Sequence, residues 1–144
     1  LQGIAYMHSK MIIHRDVKCA NILTTTEANI KISDFGAAKQ LSKSVREAKF
    51  EGNRDCKSFK GSPFWLAPEV ALKIGHSYPV DIWSLGCCAL EMLTGRSPWS
   101  DVTIDRNEVI NLIKDPKQYP NYPEHISAEC YDFIFHCCIV RNPQ

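Results

Sequence analysis

Residues 12–23 read IIHRDVKCANIL. Between positions 14 and 21 lie a His, an Arg, an Asp, a Lys and an Asn, with isoleucines before them and Ile22-Leu23 after. Burying polar groups costs free energy unless each finds a partner. An apolar frame around so many of them therefore predicts a site whose partners are built into the fold.

Upstream, the first ten residues put Leu1, Ile4, Ala5 and His8 on one face of a helix. Downstream, residues 22–24 and 29–33 read as two short strands separated by the polar run TTEA, a hairpin. The composition then shifts over 39–60 to a long basic loop carrying Ser42, Ser44 and Ser58. Ser44 and Glu47 have capping-box spacing, which allows a brief helix over 45–51 ended by Gly52. The rest is helical. Residues 80–93 form the strongest segment, with apolar Ile82, Leu85, Ala89 and Met92 and a stop at Gly95; further helices are predicted over about 102–114 and 127–139, the last capped by Ser127.

The chain has 144 residues, 44% of them hydrophobic, enough for one compact core and too few for two. Seventeen basic against sixteen acidic residues leave a formal charge of +1, which gives no global attraction to nucleic acid or anionic membrane. No apolar stretch reaches bilayer length, so a soluble, cytoplasmic protein is expected. Seven cysteines occur without a C-x-x-C, and the neighbours Cys87-Cys88 and Cys137-Cys138 fall in apolar helical patterns. They read as small buried hydrophobes, with no zinc expected.

Three motifs draw these elements together. His14-Arg15-Asp16 is followed by Asn21; Asp34-Phe35-Gly36 comes after the hairpin; Ala67-Pro68-Glu69 closes the long loop. In this order and spacing the chain resembles the eukaryotic serine/threonine protein kinases. The segments HRDVKCANIL, GSPFW and EMLTGRSPW are similar in style to the mitogen-activated kinase kinase kinases and their sterile-family relatives. The resemblance implies a mainly α fold, the C-terminal lobe of a kinase with a small β-hairpin by the catalytic loop. It divides residues 1–144 into catalytic loop, activation segment (about 34–69) and helical core (78–139).

The implied chemistry is transfer of the ATP γ-phosphoryl group to a protein Ser or Thr hydroxyl. Asp16 would take the hydroxyl's proton, Lys18 would contact the transferred phosphate, and Asn21 with Asp34 would hold Mg²⁺ through hard oxygen ligands. Leu23 corresponds to the floor under the adenine ring, and His14 and Phe35 to a stack aligning the two lobes. Gly36 completes the metal-binding triplet. Asp81 would accept backbone N–H groups of the catalytic loop, and Ser62 would help position Asp16 and Lys18. Ser58 matches the usual activating phosphorylation position, where a phosphate could pair with Arg15, implying an upstream kinase as partner.

The chain also departs from the pattern. No glycine-rich loop and no strand lysine occur in it, so the N-terminal lobe is absent from these residues and the isolated piece is expected to be inactive, with an apolar face exposed. The arginine that pairs with the glutamate of Ala-Pro-Glu is absent too, so Glu69 is expected to lose its partner. Cys19 and Leu66 stand where Gly or Pro and Met are frequent. Two other classes fit less of the chain. One is a non-catalytic kinase-like interaction module, which a degenerate upstream sequence would favour; the other is a cysteine-based metal or redox protein, which bound zinc would favour.

Overall fold

The computed structural model describes residues 1–41, 62–75 and 77–139. The helix expected over 45–51, and Ser42, Ser44 and Ser58, lie outside the described residues. About half of what is described is helical, with four short strands in two separate ribbons.

Helix α1, Gln2–Ser9, buries Ile4 and Met7 against Val17 and Cys88. The predicted face was wider. Leu1 precedes the first helical turn and is 76% exposed, and Ala5 is also exposed, because the small cluster beneath α1 takes only one narrow stripe. Strands β2 (Ile22–Thr24) and β3 (Ile30–Ile32) pair antiparallel with Ile22 opposite Ile32, forming the hairpin read from the sequence. A second ribbon joins β1 (Ile12–Ile13) to β4 (Lys39–Gln40). Strands of two residues leave no alternation to detect in a sequence.

Helix α2 (Pro68–Ala71) starts on a proline, which suits the first turn because its missing N–H would have no helical partner there. Helix α3, Pro79–Thr94, is the longest, and Gly95 ends it in a left-handed conformation at φ 67°. Its burial differs from the predicted stripe. Val80, Trp83, Cys87, Cys88 and Leu90 are buried, whereas Ile82, Leu85 and Ala89 are half-buried and Met92 is 70% exposed. A helix wrapped by neighbours on several sides has no single apolar face, so the residues that look most regular in sequence fall on its least covered side.

Helix α4 is Arg106–Lys114, four residues later at its start than expected, because the Asp105 carboxylate accepts from the Asn107 and Glu108 N–H groups and so takes the cap. Helix α5 is Ala128–Ile134, capped by Ser127 through the Cys130 N–H, and it runs on as a π-turn over Phe135–Ile139. The main core lies where Ile13, Trp83, Cys87, Val109, Ile113 and Cys138 meet. Gly86 allows α3 to approach the π-turn; a Cβ there would sit 2.6 Å from Cys137 Cβ. The adjacent cysteines pack in the two apolar clusters. Burial pushes the Cys87 and Cys88 thiols up, and that of Cys137 to about 11. No helix among the described residues is long and apolar enough to cross a membrane.

Candidate active site

The 14–21 stretch is tied down from inside at Ile13 and Val17, both essentially fully buried, in the main core and in the smaller cluster beneath α1 respectively. Between them the backbone turns through Arg15 at φ 67°, a conformation that costs a non-glycine residue about 1–3 kcal/mol and persists only where its surroundings enforce it. Asp81 supplies that enforcement. Fully buried in the first turn of α3, it accepts the His14 N–H on Oδ2 at 2.9 Å and the Arg15 N–H on Oδ1 at 2.9 Å. His8 on α1 adds a third contact, 2.8 Å from its Nε2 to Asp81 Oδ2. Arg15 Nε in turn donates to the Ala37 carbonyl at 2.6 Å.

His14 is fully buried, with Nε2 3.0 Å from the Ser33 carbonyl and its ring 5.1 Å from that of Phe35 at an edge-on angle. A carbonyl oxygen can only accept, so Nε2 carries the proton and Nδ1 receives the longer 3.4 Å contact from the Asp16 N–H. This His packs and positions.

Asp16 has both carboxylate oxygens held. Oδ1 accepts the Ser62 N–H at 3.0 Å; Oδ2 lies 3.1 Å from Lys18 Nζ and accepts from the Asn21 amide at 3.1 Å. Lys18 Nζ also donates to Ser62 Oγ at 2.8 Å. Burial alone would raise the Asp16 carboxyl, but the Lys18 ammonium and the Ser62 N–H together outweigh it and keep the group below the usual carboxylate range. It is therefore an ionised carboxylate at neutral pH, aimed and half-shielded, beside a cleft lined by Ser62, Trp65, Leu66 and Val70.

Asn21 is buried in a short 3₁₀ turn, and its amide nitrogen donates both to the Asp16 carbonyl at 2.8 Å and to Asp16 Oδ2. Both partners are acceptors, which fixes the amide's orientation and leaves its oxygen to meet a cation. The register of the β2–β3 hairpin sets Asn21 opposite Ser33, whose N–H and hydroxyl donate to the Asn21 carbonyl at 2.9 and 3.1 Å. Asp34 follows at φ 60°, with its carboxylate accepting the Gly36 N–H at 3.2 Å. Asp34 is exposed. A buried amide oxygen and an exposed carboxylate at adjoining positions are the hard donors that a magnesium ion prefers.

Leu23 and Phe35 are 51% and 52% exposed and, with Ile30 at 65%, leave apolar surface on and next to the hairpin. Glu69 is half-buried in the first turn of α2 and has an interaction within the chain. The Ser58–Arg15 pairing lies outside the described residues.

Three contributors were not singled out in the sequence. Glu91 accepts from Trp65 Nε1 at 3.0 Å and from the Cys19 N–H at 3.2 Å; Ser84 donates between the Trp65 and Val80 carbonyls, 2.9 Å from each; His8 supports Asp81. The first two had a signal, since each is a polar residue within the apolar run of α3, and such residues need a partner when the helix is buried.

The chain matches a model of the family described as "Protein kinase domain" over residues 1–144. It is 42% identical over 144 residues to Mitogen-activated protein kinase kinase kinase A of Dictyostelium discoideum, covering 100% of this chain and 14% of the relative. To Mitogen-activated protein kinase kinase kinase 2 of Arabidopsis thaliana it is 43% identical over 137 residues, covering 95% of this chain and 20% of the relative. To Serine/threonine-protein kinase cst-1 of Caenorhabditis briggsae it is 40% identical over 144 residues, covering 100% of this chain and 27% of the relative. The chain thus spans between 14% and 27% of the length of these relatives.

Proposed function

The chain belongs to the protein kinase domain family, and on that premise we propose that it forms the phosphoryl-transfer half of a serine/threonine kinase, the C-terminal lobe, acting in a mitogen-activated cascade. The observation that carries this reading is the placement of Asp16. Its carboxylate is locked by Ser62, Lys18 and Asn21, and Asn21 is joined through Ser33 to the turn that presents Asp34.

In this reading Asp16 orients the acceptor hydroxyl and receives its proton, while Asn21 and Asp34 hold Mg²⁺ with ATP. The metal supplies neutralisation of phosphate charge when bound. Lys18 adds a cation beside the transferred group, and its contact with Ser62 keeps it there when no phosphate is present. Leu23 offers an apolar surface for the adenine ring, and Phe35 leans on His14 to keep the Asp34 turn in register with the loop. Little covalent chemistry falls to the protein, so positioning these groups is the main part of catalysis.

The 144 residues contain no glycine-rich phosphate loop, so the proposed activity belongs to the whole protein that carries them, and the isolated piece is proposed to be inactive. The partners are protein substrates and, through Ser58, an upstream kinase; no nucleic-acid role is proposed, and the proposed site of action is the cytoplasm. The test is transfer from γ-labelled ATP and Mg²⁺ to a protein acceptor by the whole protein, followed by phosphoamino-acid analysis. Label is expected in phosphoserine and phosphothreonine. Label confined to phosphotyrosine, or no transfer by protein activated at Ser58, would contradict the reading.

A further inference from the structure

A second set of donors with different chemistry joins the 14–21 loop to α3. We infer that Cys19, Cys88 and Glu91 form a binding site for a borderline-soft divalent cation, zinc, which clamps the 14–21 loop to α3. The two thiol sulfurs and a carboxylate oxygen lie within 4.8 Å of one another, while tetrahedral zinc holds sulfur at about 2.3 Å and oxygen at about 2.0–2.2 Å, so that its ligands sit roughly 3.5–3.8 Å apart. Closing the set therefore takes movements on the order of 1 Å at side-chain ends, within reach of rotamer adjustment.

The carboxylate is already aimed. The Cys19 N–H and Trp65 Nε1–H hold Glu91 Oε2 at 3.2 and 3.0 Å, the kind of outer contact that orients a metal ligand. Cys88 is buried while Cys19 and Glu91 are half-buried, so the set has a dry back and an open side through which an ion can enter. The Cys19 thiol already meets both other members of the set, with a 3.5 Å contact to the Cys88 carbonyl and a hydrogen bond with the Glu91 carboxylate, contacts which ligation would replace. Three protein ligands leave one position for water.

The donor types separate this site from that of Asn21 and Asp34. Two thiolates select zinc over magnesium, whereas the oxygen pair of Asn21 and Asp34 favours magnesium. Ligation breaks each S–H bond, passes the proton to solvent and forms a metal–sulfur bond, with no change of oxidation state. Local cysteine spacing could not reveal the set, because the donors come from positions 19, 88 and 91, far apart in the chain except for the helical i, i+3 pair on α3.

The test is titration of the whole, metal-stripped protein with Co²⁺, read by the thiolate-to-cobalt charge-transfer absorption, which a cobalt ion on oxygen ligands alone does not give. The wild-type protein is expected to show this band and lose it on adding Zn²⁺. Cys19→Ala should abolish it, and Cys88→Ser should do the same where the first variant fails to fold; Glu91→Gln should weaken binding by about tenfold or more, since even outer-contact losses cost about 10–100-fold. Cys130→Ala, outside the cluster, should leave it unchanged. No band in the wild type, or an undiminished band in Cys19→Ala and Cys88→Ser, would overturn the inference.

Discussion

Replacing Asp16 with Asn in the whole protein should lower kcat by about 10²–10⁴ while leaving KM for ATP close to that of the wild type, because an amide of the same size cannot accept the hydroxyl's proton. The side chain's partners make the experiment specific. The substituted amide could still receive the Ser62 N–H on its oxygen, and Asn21 keeps its donation to the residue-16 carbonyl, while the new NH2 replaces Oδ2 against the Lys18 and Asn21 donors. A fall in kcat without a change in nucleotide affinity separates proton transfer from binding. Lys18 gives a second view of the same group. Its ammonium helps hold the Asp16 carboxyl below the usual range, so Lys18→Met should raise that carboxyl's pKa. In the proposed role activity requires the ionised form and is lost as pH falls through the pKa; the acid limb of the rate profile should therefore move to higher pH. An Asp16→Asn enzyme with undiminished kcat would remove Asp16 from the chemistry.

The second large effect is structural. Asp81→Ala leaves the His14 and Arg15 N–H groups without their acceptor in the interior, and each such loss costs about 1–3 kcal/mol. The left-handed Arg15 loses its support at the same time. Whole domains are stable by only about 5–15 kcal/mol, so the loop should open locally even where the domain survives. Hydrogen exchange at the His14 and Arg15 amides is the direct readout. It should accelerate by a factor on the order of 30 or more, equivalent to about 2 kcal/mol. Asp81→Asn, which retains one acceptor oxygen, should fall between. Exchange at both amides unchanged from the wild type in Asp81→Ala would show that Asp81 does not hold the loop.

The parts of the fold with a local cause were legible. Ser127 caps α5, Gly95 ends α3, and the TTEA run separates two paired strands, each through chemistry confined to a few neighbouring residues. The buried face of α3 was not, because Ile82, Leu85, Ala89 and Met92 make the more regular apolar pattern while the core closes on Trp83, Cys87 and Leu90. Only the packing of other elements around a helix decides this. The start of α4 turned on a competition that propensity does not rank, in which the Asp105 cap ended a pattern that apolar periodicity extended back to Val102. In the candidate site, the motif residues stand out by order and spacing. Glu91, Ser84 and His8 do not, since they act through partners 26, 19 and 73 positions away. For Glu91 and Ser84 the only trace in the sequence is polarity within an apolar run; His8, followed by Ser9 and Lys10, has none.

In the proposed mechanism Asp16, Asn21 and Asp34 divide one task, the first handling the acceptor and the other two the metal and nucleotide. The most direct test of this division is titration of Mn²⁺ with ATP into the whole protein, following the free-ion resonance signal, for the wild type, Asp16→Asn and Asp34→Ala. Asp16→Asn should bind the manganese–nucleotide complex nearly as tightly as the wild type while failing to transfer phosphate, and Asp34→Ala should bind it more weakly by about tenfold or more. Equal binding by the wild type and Asp34→Ala would contradict the account.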